Sequence, residues 1–459
     1  MSESTPGVPT GTSTESTAPT TDGGFKRVLG VPSLVLFGLV YMVPLTAFTT
    51  YGIVTQLTGG RVAMSYLITL VAMIFTARSY ARMTVAYPYA GSAYVYTQQS
   101  FGGAIGFLVG WSLLLDYLFL PMINYLILGL YLNSAFPAIP NWVWIIVAIL
   151  LVTGLNIIGI KSIARANFVI VAVQTAFIVV FLALSVASAV GNAVDPMLPF
   201  RGDGTVEGVG VLFAGAAILC LSFLGFDSIS TLAEEAKDAK RSVPRAIMIV
   251  TVAAGLLYIL LSYLAQIAYP SNQFESVDTA SLDIVASLAG PWLSTLFISG
   301  FVAGCLGSAL TSQASVSRIL YAMGRDGVLP RLVFGRLNER FGTPVIAILL
   351  VSAVSLLALV LSLTTLSSMI SFGALIAFSF VNLSVVKHYF IDRHERAGGD
   401  VVGNLVLPLI GLALTLWLWT SLTATTFVIG LSWQFIGFIL LLVVTRFFRR
   451  PTPKLDLAE

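Results

Sequence analysis

GVGVLFAGAAILCLSFLGFDSISTLAEEA, residues 208–236, begins as an apolar helix and then loses its helical character halfway. Ser222, Gly225 and Asp227 fall at mid-span, and only about two helical turns remain before Glu234. Gly225 can take backbone angles closed to other residues. Amides and carbonyls freed by such an interruption need an ion, a substrate or water as partner if the segment lies in a bilayer. The stretch therefore predicts a broken helix with a carboxylate, Asp227, at the break.

The rest of the chain places that break in a membrane. A globular protein carries about 25% charged residues. This chain of 459 residues carries 10%, with 57% hydrophobic residues and a mean hydropathy of +0.93. Twelve apolar blocks recur, at about 28–56, 62–84, 102–134, 142–159, 166–190, 209–234, 245–269, 291–322, 345–363, 366–388, 403–421 and 424–447. Each is compatible with the ~20 residues that cross the hydrocarbon core. They are continuously apolar, whereas a barrel strand would alternate over about ten positions. The expected fold is an all-α integral membrane protein with twelve transmembrane helices in a lipid bilayer.

Basic residues set the expected orientation. With alternate connections assigned to the cytoplasm from the N-terminus, 22 of the 24 Lys and Arg fall on that side, and only Arg61 and Arg201 lie outside. This positive-inside pattern puts both termini in the cytoplasm. It also gives the net charge of +3 a topogenic origin and leaves nucleic-acid binding without support. Residues 1–24, MSESTPGVPTGTSTESTAPTTDGG, lack the basic and apolar regions of a signal peptide and read as a disordered tail. Cys220 and Cys305 show no metal or redox spacing and read as packing residues, and no cofactor is expected. The absence of GxSxG, HExxH, P-loop and cysteine–histidine patterns, with loops too short for a soluble domain, argues against an enzyme. A channel would share the helices and a polar path but would not need broken helices.

Two carboxylates remain within the membrane once the loops are assigned: Asp227, and Asp116 in LLLDYLFLPMIN, residues 113–124. No base accompanies them at mid-membrane. A charge at the bilayer centre costs about 3 kcal/mol on insertion scales, so such groups usually face a cavity or partner and mark a substrate or ion path. For Asp116 the alternative is a structural carboxyl, protonated or bonded to neighbouring backbone and hydroxyls. The first helix carries an interruption of its own. In GLVYMVPLTAFTTYG, residues 38–52, Pro44 removes a backbone donor while Thr46, Thr49 and Thr50 offer hydroxyls. Interruptions in helices one and six, five helices apart, match a five-helix inverted repeat with a midplane site.

Five further stretches carry a resemblance: YPYAGSAYVYTQQS (87–100), GFLVGWSLLLDYLFLPMIN (106–124), CLSFLGFDSISTLAEEAKDAKRSVPRAI (220–247), ASVSRILYAMGRDGVLP (314–330) and SFGALIAFSFVNLSVV (371–386). The chain resembles the amino acid–polyamine–organocation superfamily of transporters and, through LLDYLFLPMIN, its bacterial putrescine importers. The resemblance covers nearly everything after residue 25. It implies a LeuT-like fold, with five-helix repeats at 25–190 and 191–390, peripheral helices within 391–447 and a cytoplasmic tail at 448–459. It also implies a secondary active transporter that imports a small amine or polyamine across the bacterial plasma membrane by proton symport. An amino-acid permease or antiporter, or sodium-coupled uptake, are the alternatives within the superfamily.

A diamine is a dication with an apolar middle, so its site should offer anionic partners and aromatic walls. Asp116 and Asp227 are the candidate partners. Phe223 and Phe226 beside the break, and Trp111 and Tyr117 beside Asp116, are the candidate walls. Thr46, Thr49, Ser222 and Gly225 complete the set at the two interruptions. Two departures from the family pattern matter. Thr49 stands where the putrescine importers carry an Asp, which removes one anionic contact and opens the site to a monoamine or an amino acid. Pro44-Leu45-Thr46-Ala47, however, replaces the Gly-rich turn whose amides hold the α-carboxylate in many amino-acid members. Gln174 aligns with the lysine of proton-coupled members, and His388 and His394 lie near or beyond a helix end. Coupling protons are therefore expected on Asp227 first and Asp116 second. Sodium would use Ser308, Thr311 and Ser312, hydroxyls that otherwise simply let helices pack. At the rim, EEAKDAKRSVPR (234–245) reads as a topogenic loop or, alternatively, as an inner gate in which Glu234 or Glu235 pairs with Arg78 or Arg82.

Overall fold

A computed structural model of the chain describes residues 27, 29–89, 91–158, 163–191, 194–325, 327, 329–338, 341–447 and 449. Eleven of its helices are long and apolar enough to cross a membrane. These are spans 1 (Val31–Phe48), 2 (Val62–Ala86), 3 (Gly103–Ala135), 4 (Asn141–Ile158), 5 (Ile170–Val190), 6 (Gly210–Glu235), 7 (Ala239–Ala268), 8 (Pro291–Tyr321), 10 (Leu363–Asp392), 11 (Gly399–Thr420) and 12 (Ala424–Val444). A shorter apolar helix, Val345–Leu359, takes the ninth place and completes the twelve expected. Among the described residues the only extended pairing is a single parallel bridge between Leu29 and Ala236. The predicted tails, 1–24 and 448–459, lie outside the described residues apart from Arg449.

Span 3 is the axis of the bundle. Its 33 residues correspond to about 50 Å of helix against a hydrocarbon core of ~30 Å, so it is long enough to cross with tilt or to extend beyond the core. Every residue from Leu113 to Gly129 is buried, as expected of a helix that is apolar all round and surrounded by others. Span 10 can approach it closely because Gly373 has no side chain: a Cβ there would lie 2.6 Å from the Ser112 carbonyl. Span 2 packs most extensively on span 7, and span 3 on spans 8 and 10. The pairs 2/7 and 3/8 are each five spans apart, as in the LeuT-like fold. Spans 11 and 12 sit at the periphery with large apolar side chains such as Leu416, Val428 and Phe435 exposed. Two short helices, Ser92–Phe101 and Ala280–Ala289, lie outside the twelve blocks read from the sequence.

Both interruptions are present. Span 1 is α-helical to Met42, turns through Val43 at φ 51°, and continues as a 3-10 turn over Pro44–Phe48 before the helix Tyr51–Thr58. Span 6 is α-helical to Leu219, tightens into a 3-10 turn over Cys220–Phe223 and becomes extended at Leu224. It then passes Gly225 at φ 130° and resumes as a 3-10 helix over Ser228–Glu235. The two interruptions touch, since a Cβ on Gly225 would stand 2.7 Å from Met42 Cγ and 2.8 Å from Tyr41 Cδ1. Glycine meets both demands here, the positive φ and the close approach.

Candidate functional site

Asp227 organises the break in span 6. Its Oδ1 accepts from the Gly225 amide at 3.1 Å, and its Oδ2 accepts from the Tyr117 hydroxyl at 3.0 Å. The Ser228 hydroxyl donates to the Gly225 carbonyl at 2.7 Å, and that of Ser230 to the Asp227 carbonyl at 2.6 Å. Backbone groups released by the break thus find partners within a few residues, as a water-free surrounding requires. Tyr117 is presented from span 3, one residue after Asp116. Asp116 is also buried, and its Oδ1 has no hydrogen-bond partner among the described residues. The two carboxylates lie within Coulomb range of one another and of the Tyr41 and Tyr80 hydroxyls. No ion pair among the described residues involves either of them.

The break in span 1 is neutral. Its freed carbonyls are met by hydroxyl donors: Thr46 Oγ1 to Met42 O at 2.7 Å, the Tyr258 hydroxyl to the same oxygen at 3.5 Å, and Ser308 Oγ to Tyr41 O at 2.9 Å. Asn124 Nδ2 donates in turn to Ser308 Oγ at 3.1 Å, tying spans 1, 3 and 8 together. A cavity of about 20 Å³ opens between the breaks, with Tyr41, Thr46, Thr49, Asn124, Cys305 and Ser308 among its lining residues. That volume holds about one water molecule, so any larger occupant requires the bundle to open. Gln174 is buried against Gly304, with Oε1 lacking a hydrogen-bond partner among the described residues.

The structure thus brings Asp116, Tyr117, Thr46, Thr49, Gly225 and Asp227 to one region, where spans 1, 3 and 6 meet. Ser222 is held by the Tyr66 hydroxyl at 2.9 Å. Phe223 packs edge-on to Tyr258, their ring centroids 5.6 Å apart. Phe226 stacks on Phe378 at 5.3 Å and meets Tyr80 edge-on at 5.6 Å. Trp111 does not join this group. Its indole stacks on Trp433 of span 12 at 4.8 Å, and each ring N–H donates to the other residue's carbonyl, at 2.8 and 2.9 Å. Thr311 and Ser312 donate to carbonyls of their own helix, so only Ser308 of the three hydroxyls reaches span 1.

The rim arrangement differs from the expected pairing of Glu234 or Glu235 with Arg78 or Arg82. Glu235 pairs with Arg318 of span 8 at 3.0 Å. Arg82 reaches Glu395 at 3.7 Å and Asn404 Oδ1 at 2.5 Å, with its guanidinium 4.3 Å from the Tyr389 ring centre. The reason is helical phase. Arg78 and Arg82 are four residues apart and share one face of span 2, the face turned toward the start of span 11 rather than toward span 6. Glu234 is half-buried beside Glu235. Just ahead of span 1, Leu29 N donates to Glu235 O and Lys237 N to Leu29 O, both at 2.9 Å.

Residues absent from the sequence reading complete the site. Asn124 follows Tyr117 by seven residues, two turns along the same face, and a lone amide in LLLDYLFLPMIN was the signal for it. Tyr41 directly precedes the first break and is marked only by that position. Tyr80, Tyr258 and Phe378 come from spans 2, 7 and 10 and have no local signal.

A profile of the amino acid permease family matches residues 33–456. The chain is 39% identical over 438 residues to the low-affinity putrescine importer PlaP of Escherichia coli (strain K12), covering 94% of this chain and 96% of that protein. It is 26% identical over 444 residues to the branched-chain amino acid permease BcaP of Bacillus subtilis (strain 168), covering 92% and 93%. A methylthioribose transporter of the same organism is 26% identical over 442 residues, covering 92% and 94%.

Proposed function

The chain belongs to the amino acid permease family and is a multi-pass secondary transporter, and we propose that it imports a small amine of the putrescine type by proton symport. The observation that carries this reading is the pair Asp116 and Asp227: two buried carboxylates beside two helix breaks, with no basic side chain among the described residues paired to either. A buried carboxylate is tolerated only with a partner, and a proton or a substrate ammonium can each supply it. The free Oδ1 of Asp116 is the first landing point for an ammonium. Asp227 and the Tyr117 hydroxyl form the second, and Phe226, Tyr80 and Phe378 offer aromatic faces for the methylenes next to it.

An amino acid is the second reading, favoured by the uncharged Thr49 on the cavity wall. The first break weighs against it. Pro44 has no amide, and those of Thr46 and Thr49 are spent on Val43 O at 2.8 Å and Thr46 O at 2.9 Å, so this turn has few donors for an α-carboxylate. Protons are favoured over sodium because two buried carboxylates stand at the breaks to carry them, whereas of the three hydroxyls only Ser308 reaches span 1. In this reading the basic rim faces the cytoplasm of a bacterial plasma membrane, with both termini there. The Glu235–Arg318 pair then closes the inner end of the path and opens when the site turns inward.

Counterflow of labelled putrescine in proteoliposomes tests the reading. Saturable uptake driven by putrescine trapped inside is expected, with its half-saturating concentration raised about ten- to a hundredfold in Asp116→Asn. Counterflow with a neutral amino acid but with no diamine or monoamine would replace it with the second reading.

A further inference from the structure

We propose that the seam between spans 2 and 7 at the basic rim binds the phosphodiester headgroup of an anionic glycerophospholipid. A cavity of about 410 Å³ lies there, lined by Arg78, Arg82 and Val85 from span 2 and by Arg245, Met248 and Ile249 from span 7. The spacing explains the lining. Positions 78, 82 and 85 share one helical face, as do 245, 248 and 249, and the two faces flank the most extensive helix contact among the described residues.

Arg78, Arg82 and Arg245 thus border one groove, although the Arg82 guanidinium itself turns to Asn404 and the Tyr389 ring. Arg82 has Glu395 at 3.7 Å. Neither Arg78 nor Arg245 has a carboxylate partner among the described residues, and both are exposed. A guanidinium presents a planar fork of donors that matches phosphate oxygens, so an anion seated between Arg78 and Arg245 would supply the partner that both lack.

A free phosphate would need only the charges, whereas the surroundings also suit acyl chains. Leu67 on span 2 and Leu256 on span 7 each stand eleven residues from the arginine of their own helix. That is three turns, about 16 Å, toward the bilayer centre on the same face. Both are exposed, as are Val71 and Leu260 beside them. A headgroup at the arginines and chains along this stripe fit a lipid lying with its phosphate at the interface, the arrangement expected of basic pockets between transmembrane helices. The leaflet follows from the positive-inside orientation of the preceding section. The lipid site itself does not depend on which substrate is carried.

The test uses the purified full chain and native mass spectrometry of retained lipid, with dioleoylphosphatidylglycerol titrated against dioleoylphosphatidylcholine. Wild type should retain phosphatidylglycerol at least about tenfold in preference to phosphatidylcholine. At roughly fivefold per arginine near the surface, Arg78→Gln/Arg245→Gln should need about thirtyfold more of the anionic lipid for equal retention. Arg78→Lys/Arg245→Lys should keep most of it, and Arg336→Gln, in an exposed loop, should change nothing. Should the double variant fail to fold, the two single variants carry the same comparison at about fivefold each. Equal retention of the two lipids by wild type, unchanged retention in the Gln variants, or equal loss in Arg336→Gln overturns the proposal. Displacement of the lipid by inorganic phosphate at matching concentration would reassign the groove to a soluble anion.

Discussion

Spans 1 and 6 are interrupted where they touch, and hydroxyls serve freed carbonyls in both, yet only the break in span 6 also uses a carboxylate. In span 1 the loose groups are carbonyls, those of Tyr41 and Met42, and neutral hydroxyls from Ser308, Thr46 and Tyr258 serve them. In span 6 a loose group is an amide, that of Gly225, and the Asp227 carboxylate serves it. A carbonyl needs a donor, which Ser, Thr and Tyr supply without charge, whereas an amide needs an acceptor, and a carboxylate is a strong one. The consequence is functional asymmetry. Protonation or a cation can change the hydrogen bonding of the sixth span's break directly, while the first span's break can respond only through contact with it.

The largest effect should come from removing that charge without removing the acceptor. In Asp227→Asn the amide oxygen can still accept from Gly225 N, so the protein should fold, but proton-driven accumulation should fall by roughly a hundredfold or more, the scale of a lost charged hydrogen bond. Accumulation at the wild-type level would show both breaks to be equally passive. Next is Gly225→Ala, which places a methyl group 2.7 Å from Met42 at a φ suited to glycine. It should cost about 2–3 kcal/mol of stability by strain and overpacking, read as a lower melting temperature. An unshifted melting temperature would mean that the breaks do not press on one another.

Asp116→Asn should weaken a diamine by about 1.5–3 kcal/mol, ten- to a hundredfold in Kd, and a monoamine of similar length far less. Equal losses for putrescine, a monoamine and a neutral amino acid would sink its recognition role. Thr49→Asp adds charge to the neutral break and should shift preference toward putrescine, with Asp116 still required. Smallest is Ser308→Ala, which strips one donor from Tyr41 O and should cost about 1 kcal/mol in stability while leaving the pH dependence of uptake unchanged. A changed pH profile would bring the first break into proton handling.

Features set by short-range chemistry were legible in the sequence. Pro44, Gly225 and Asp227 announce their breaks because proline lacks a donor, glycine admits a positive φ, and a carboxylate in an apolar run must have a purpose. The twelve spans follow from continuous hydrophobicity alone. Phase and partnership were not legible. Trp111 sits five residues before Asp116, yet it belongs to span 12 through Trp433, 322 residues away. Glu235 looked available to Arg78 and Arg82, but the face those arginines occupy depends on how span 2 is rotated, which local sequence leaves open. Ser92–Phe101 and Ala280–Ala289 are too short and too polar to register as apolar blocks.

The backbone pairing of Leu29 with Glu235 and Lys237 bears on mechanics. Two main-chain hydrogen bonds splice the chain just ahead of span 1 to the end of span 6, so the rim-side halves of both broken helices are yoked together. Any swing that carries off one half must either rupture that splice or drag the other half with it. If the splice holds, the two halves move as a single leaf on one hinge, and one activation barrier governs the swing.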